Sequence, residues 1–131
     1  MALKSMTLKR VLVVDDEESI QKVVSLSLKM EANWDIVTAS SGQEGIAQAE
    51  LHGPDVILLD VMMPEMDGIA TFEALCENPR TQTIPVVLLT AKTRTAEKRL
   101  FQKIGVAGVI TKPFNPLTLA SQIASLLDWP L

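Results

Sequence analysis

The chain has 131 residues, 47% of them hydrophobic, and a formal net charge of −4, which together indicate one globular domain with a single core. Its one cysteine, Cys76, excludes an internal disulfide, and the acidic balance argues against direct nucleic-acid binding. No apolar run approaches the ~20 residues of a membrane span and no signal-peptide pattern opens the chain. We therefore predict a cytoplasmic domain at residues 9–131 with no membrane contact, preceded by disordered or vector-derived residues 1–8.

Five apolar strands alternate with five helices along the sequence. Short β-branched runs bounded by turn residues are typical of strands buried on both faces of a parallel sheet, and apolar residues spaced three and four apart are typical of helices packed on it. The predicted strands cover residues 10–14, 34–39, 55–60, 84–90 and 107–111. The predicted helices cover residues 20–30, 41–51, 69–77, 93–104 and 115–127, the last with Asn115 as its cap and Pro116 as its first residue. This alternation predicts an α/β fold, a doubly wound parallel sheet with helices on both faces.

Polar side chains stand at the ends of four of these strands. Asp15 and Asp16 follow the first strand, and Asp60 ends the third. Thr90 ends the fourth strand, and Lys112 follows the fifth. Because open α/β sheets place their sites at the carboxyl ends of the strands, we expect these side chains to meet at one edge. Three neighbouring carboxylates repel one another, and Mg²⁺ relieves that repulsion because it prefers carboxylates, waters and phosphate oxygens as ligands. A metal, a carboxylate nucleophile, a lysine and a hydroxyl donor are the parts that phosphoryl transfer onto an aspartate needs.

Four sequence features at these strand ends resemble the receiver domain of two-component response regulators, of the chemotaxis-regulator type. In chain order they are Asp15-Asp16, the segment from Asp60 to Gly68, Thr90-Ala91 and Lys112-Pro113-Phe114. Each feature alone would be weak evidence for this family, but the four features together are specific for it, and the resemblance spans residues 9–127. The resemblance implies a flavodoxin-like fold with strand order 2-1-3-4-5. It also implies a phosphorelay signalling domain that is not an enzyme beyond, at most, slow autophosphatase activity.

The resemblance implies that the acidic residues are the phospho-acceptor and the metal ligands. Asp60 is expected to be the phospho-acceptor, which receives its phosphoryl group from a histidine kinase or a phosphotransfer protein. Asp15, Asp16 and Asp60 are expected to bind Mg²⁺, together with the backbone carbonyl of Met62. The acceptor would then signal to its partners through a conformational change.

The resemblance also assigns the residues of the fourth and fifth strands. Thr90, the backbone amide of Ala91 and Lys112 are expected to bind the phosphoryl oxygens, and the peptide bond before Pro113 is expected to be cis. At position 109, where the family commonly has an aromatic switch residue, this sequence has a valine. Because a β-branched side chain has few rotamers, we expect any switch to depend mainly on Thr90 and the loop that follows it.

Two residues that flank the expected acceptor site depart from relatives with Asn and Glu at these positions. They are Met62, two residues after Asp60, and Lys92, two residues after Thr90. Neither side chain offers a carboxylate or amide that would orient an attacking water. We therefore expect a long-lived phosphoryl group.

Three functions remain open from the sequence. The first is a stand-alone phosphorelay receiver with a downstream protein partner at the fourth helix, fifth strand and fifth helix. The second is a receiver excised from a larger DNA-binding regulator or a hybrid kinase. The third is a small Mg²⁺-dependent phosphohydrolase, although such enzymes usually have a second aspartate where this chain has Met62. The predicted last helix carries no charged residue, so it lacks the salt bridges through which one common DNA-binding subclass dimerises.

Overall fold

The computed structural model describes residues 9–91 and 95–130, and in these ranges the chain forms a five-stranded sheet with five helices. Lys92 falls outside the described residues, as do residues 1–8. The strands are β1 (Arg10–Val14), β2 (Asp35–Ala39), β3 (Val56–Asp60), β4 (Val86–Thr90) and β5 (Gly108–Thr111). The helices are α1 (Glu18–Ala32), α2 (Gly42–His52), α3 (Gly68–Glu77), α4 (Thr95–Lys103) and α5 (Leu119–Leu127).

All strand pairs are parallel, and the order across the sheet is β2-β1-β3-β4-β5, so the predicted fold class is confirmed. The central strands β3 and β4 are buried along their whole length because helices cover both faces. Side chains of one strand alternate between the two faces. Leu58 therefore packs in the core layer that α1 and α5 cover, and Ile57 packs in the opposite layer with residues of α2 and α3. Within the described residues, no helix is long and apolar enough to cross a bilayer.

Side-chain caps fix the starts of α2 and α3 next to the carboxyl edge of the sheet. The Ser41 hydroxyl accepts a hydrogen bond from the Glu44 amide at 3.1 Å, the side-chain cap of a Ser-x-x-Glu sequence. The Asp67 carboxylate accepts one from the Ala70 amide at 2.8 Å. Each cap satisfies an amide that the helix leaves unpaired, so it fixes where the helix begins.

The start predicted for α5 is wrong by three residues, because the cap is Thr118 and not Asn115, and the first helical residue is Leu119 and not Pro116. The Asn115 side chain accepts a hydrogen bond from the Leu117 amide at 2.9 Å, and its carbonyl accepts one from the Thr118 amide at 3.1 Å. Asn115 therefore closes a separate turn before the helix. Asparagine favours such turns as strongly as it favours helix caps.

Two tryptophans meet at the amino-terminal edge of the sheet, opposite the strand ends described above. Trp34 precedes β2 and Trp129 follows α5, and their rings make an edge-to-face contact with centroids 5.5 Å apart. The Lys9 ammonium lies 4.7 Å from the centre of the Trp129 ring. This contact fixes the end of α5 against the start of the sheet.

Candidate functional site at the carboxyl edge

Asp15, Asp60 and Lys112 form a buried polar triad where β1, β3 and β5 end. The Lys112 Nζ lies 3.0 Å from Asp60 Oδ1 and 3.2 Å from Asp15 Oδ2. Both carboxylate side chains are at most 4% exposed, and the lysine side chain is 19% exposed. The parallel strands deliver these groups together because each apolar run ends at the same edge of the sheet.

Asp16 adds a third carboxylate to this edge, and it is exposed to solvent. One carboxylate oxygen from each of Asp15, Asp16 and Asp60 lies within 4.8 Å of the others. Oxygen donors so arranged suit a hard divalent cation, and Mg²⁺ in particular binds through one or two carboxylates and keeps several waters, through which a further carboxylate can act. The donor set therefore fits the magnesium ion that the sequence predicts.

Backbone amides help to hold the two buried carboxylates. The Glu17 amide donates to Asp15 Oδ1 at 2.9 Å, and the Met62 amide donates to the Asp60 carboxylate. The Gln21 side-chain amide donates to the Asp15 carbonyl at 2.7 Å, which ties α1 to the end of β1. Sequence analysis did not identify Gln21, whose only signal is a polar residue on the inner face of an amphipathic helix.

Burial raises the pKa of the Asp60 carboxyl above its ordinary value of 3.8. The hydrogen bond from Lys112 opposes this rise in pKa, while the charge of Asp15 adds to it. Burial also lowers the pKa of Lys112, but the hydrogen bonds and charges of Asp60 and Asp15 outweigh burial and leave that pKa raised. One ammonium group therefore does not fully compensate two buried carboxylates, so the edge favours a further cation.

The loop between β3 and α3, residues 61–67, surrounds Asp60 and is called here the β3–α3 loop. The Gly68 amide closes it with a 2.9 Å hydrogen bond to the Val61 carbonyl. A Cβ on Gly68 would overlap the Asp60 carbonyl and lie 2.7 Å from Val61 Cα, so only glycine fits there. Met63 is buried in the core, whereas the Met62 side chain is 63% exposed.

The remaining predicted site residues lie on β4, on β5 and just beyond them. Thr90 is 1% exposed at the end of β4, and its carbonyl accepts a 2.8 Å hydrogen bond from the Lys112 amide. Ala91 is exposed directly after it, and the peptide bond between Lys112 and Pro113 is cis. Val109 is partly buried on β5, opposite Leu88 in the sheet.

Asp60→Asn is expected to stabilise the metal-free protein at neutral pH, on the order of 1 kcal/mol. Because the pKa of the Asp60 carboxyl is raised in the folded state, ionisation of this group lowers the free energy of unfolding. The loss begins as the pH rises above 3.8 and is complete once the pH exceeds the raised pKa. The gain from the variant should therefore shrink as pH falls towards 3.8. Urea denaturation in EDTA from acidic to neutral pH measures it. A variant less stable than the wild type at neutral pH would contradict the electrostatic argument.

Comparison with known proteins identifies the family to which this fold belongs. The family model described as the response regulator receiver domain matches residues 11–124. The chain is 39% identical over 121 residues to the alkaline phosphatase synthesis transcriptional regulatory protein PhoP of Bacillus subtilis, which covers 91% of this chain and 48% of PhoP. It is 40% identical over 118 residues to the probable transcriptional regulatory protein TcrX of Mycobacterium tuberculosis, which covers 89% of this chain and 49% of TcrX. This chain thus spans about half the length of these curated relatives.

A solved structure shares nearly its full length with this chain. The chemotaxis response regulator CheY4 of Vibrio cholerae superposes with a TM-score of 0.84 at 35% identity, covering 92% of this chain and 99% of CheY4. These matches define the class of protein, a signal-receiving α/β domain. The chain belongs to the response regulator receiver domain family of two-component signalling.

Proposed function

We propose that this domain accepts a phosphoryl group on Asp60, with Mg²⁺ bound at the carboxyl edge, and passes the signal on by a conformational change. The observation that carries the proposal is the convergence of Asp15, Asp16 and Asp60 within 4.8 Å, with the Lys112 ammonium between two of them. Asp15, Asp16, Asp60 and the Met62 carbonyl would hold the metal. When bound, it supplies positive charge that offsets the carboxylates and the phosphate oxygens.

Asp60 provides the nucleophile. One of its carboxylate oxygens attacks the phosphorus of the donor, the bond from phosphorus to the donor's leaving group breaks, and an aspartyl phosphate forms. The Met62 amide and Lys112 orient that carboxylate by hydrogen bonding to it. Lys112 then pairs with the added phosphoryl oxygens, and the Thr90 hydroxyl and the Ala91 amide bind the others.

Intact mass spectrometry after treatment with acetyl phosphate tests this function. We expect the mass of one phosphoryl group to be added in the presence of Mg²⁺ and none to be added in EDTA. Reduction with borohydride followed by peptide mapping should place the acyl phosphate at Asp60. Multiple turnover of a phosphate monoester, without a stable adduct, would instead favour the phosphohydrolase that the sequence left open.

We expect the phosphoryl group to be long-lived, because the exposed Met62 side chain provides no group that orients water for hydrolysis. Met62→Asn/Lys92→Glu should shorten the lifetime by about tenfold, a small effect for a positioned polar group. Decay of the labelled protein, followed by mass after removal of the donor, measures it. Met30→Asn is the control because Met30 is also exposed but lies on α1. Decay of the double variant at or below the wild-type rate would contradict the prediction.

The partners follow from the same proposal. A histidine kinase or a phosphotransfer protein of the cytoplasm supplies the phosphoryl group. The downstream partner binds the face formed by α4, β5 and α5. A groove of about 360 Å³ lies there along β5 and α5, and the described residues that line it are uncharged. Its lining residues are Val109, Ile110, Thr118, Ser121, Gln122, Ser125 and Leu126.

The same domain could serve as a receiver module within a larger regulator or hybrid kinase, as in the signal receiver domain of a histidine kinase from Syntrophus aciditrophicus. That structure has a TM-score of 0.78 at 32% identity and covers 92% of this chain and 90% of its own.

A further inference from the structure

The first turn of α2 packs against the end of the β3–α3 loop so closely that only a glycine fits at position 42. A Cβ on Gly42 would overlap the Thr71 hydroxyl and lie 2.9 Å from the Met66 sulfur. Gly42 is buried, and Thr71 has no exposed surface. Because Thr71 cannot move towards solvent, a larger residue at position 42 must displace it or the loop.

Thr71 in turn holds the last residue of that loop. Its hydroxyl donates to the Asp67 carbonyl at 2.8 Å, and its backbone amide donates to the same oxygen at 3.0 Å. The Asp67 carboxylate caps the Ala70 amide at the start of α3. Thr71 therefore fixes both the position and the orientation of the peptide group that joins Asp67 to Gly68.

Gly68 connects the peptide group between Asp67 and Gly68 to the backbone of Asp60. Its amide bonds to the Val61 carbonyl, and its Cα lies so close to the Asp60 carbonyl that no Cβ fits between them. A shift of Gly68 must therefore move the backbone on either side of Asp60. That backbone carries the acceptor carboxylate and leads directly to Met62, whose amide binds it.

We infer that Gly42 and Thr71 are positioning residues for the acceptor site, which they reach through Asp67, Gly68 and the backbone of Asp60. The inference rests on the proposed phosphorylation of Asp60. Neither residue touches the carboxylates. Their contribution is to set the end of the β3–α3 loop at a fixed distance from β3, so that the Asp60 carboxylate and the Met62 main chain hold the geometry that the site needs.

A double-mutant cycle with acetyl phosphate and Mg²⁺ tests the inference. Gly42→Ala should slow phosphorylation by about tenfold, because a small displacement of a nucleophile is costly. Thr71→Ser keeps the hydroxyl and should react at the wild-type rate. Thr71→Ala loses one hydrogen bond and should slow the reaction by about threefold. Gly42→Ala/Thr71→Ala should react like Thr71→Ala alone, since removal of the Thr71 hydroxyl relieves the closest contact and the flexible, partly exposed Met66 side chain can move aside.

Gly53→Ala is the matched control. Gly53 ends the same helix with a left-handed φ of 52°, and no atom lies near its Cβ position. The alanine should lower the melting temperature through backbone strain and leave the phosphorylation rate unchanged. A Gly42→Ala protein with a lower melting temperature but the wild-type rate would overturn the inference, as would additive effects in the double variant.

Two readouts that need no phosphoryl transfer separate this inference from the proposed function. Calorimetry with Mg²⁺ alone should give an affinity about tenfold weaker in Gly42→Ala, as for other residues that support metal ligands. Hydrogen exchange at the Gly68 amide should be faster in that variant. If the wild type takes no phosphoryl group, the proposed function fails, and these two measurements alone decide the inference. Unchanged values for Gly42→Ala would then overturn it.

Discussion

Asp60→Asn is expected to abolish phosphorylation completely. The amide has no ionised oxygen to attack phosphorus, and the residues around Asp60 offer no second carboxylate in an equivalent position. Asp15 is fully buried and already accepts hydrogen bonds from Lys112 and the Glu17 amide, and Asp16 is exposed. Intact mass after treatment with acetyl phosphate and Mg²⁺ should be unshifted in this variant.

Asp55→Asn is the control for that experiment. Asp55 lies just before β3, at the opposite edge of the sheet, where its carboxylate accepts a 2.7 Å hydrogen bond from the Arg10 amide. The same chemical change there should leave labelling at the wild-type level. Labelling of the Asp60 variant, or loss of labelling in both, would refute the assignment of Asp60 as acceptor.

Lys112→Met is expected to destabilise the metal-free protein by about 2 kcal/mol, because it leaves buried carboxylates without their cation. Methionine keeps most of the aliphatic side chain, so the loss is mainly electrostatic. The same change should strengthen Mg²⁺ binding by about tenfold, since it removes a positive charge 3.0 Å from Asp60 Oδ1. Saturating Mg²⁺ should then restore much of the lost stability. Urea denaturation and calorimetry measure the two effects.

Lys103→Met makes the same substitution at an exposed position in the last turn of α4. It should change stability by less than about 0.5 kcal/mol and leave the Mg²⁺ affinity as it is. If both variants lost stability equally, the loss would not come from the carboxylates. An unchanged Mg²⁺ affinity in Lys112→Met would mean that the lysine and the metal do not compete for the same charge.

The sheet and its acidic edge were predictable because they depend on local patterns. An apolar run such as residues 56–59 must be buried on both faces, and the carboxylate that ends it must lie at the sheet edge. Together with the resemblance, this was enough to predict the strand order and the group of Asp15, Asp16, Asp60 and Lys112. Periodicity does not carry information about which loop packs on which helix.

The contacts that the sequence did not reveal join residues far apart in the chain. Thr71 looks like an ordinary helix residue, and its role depends on Gly42, 29 positions earlier, coming to lie against it. The role of Gln21 likewise becomes clear only when Ala39 and Ser40 lie beside it, because a polar residue on the inner face of a helix does not show which groups it binds. The start of α5 was mistaken for a different reason. Asn115 and Pro116 suit a turn as well as they suit a helix start, and here the Asn115 side chain accepts a hydrogen bond from the Leu117 amide in such a turn.

The tryptophan pair gives this domain an optical property that suits the experiments above. The sequence has two tryptophans and no tyrosine, so its intrinsic fluorescence comes almost entirely from Trp34 and Trp129. Both rings lie at the end of the sheet away from Asp60, where their contact depends on the folded chain. Emission should therefore report unfolding while remaining insensitive to metal or phosphoryl occupancy. Denaturation curves followed by fluorescence can thus be compared directly between the free, Mg²⁺-bound and phosphorylated protein.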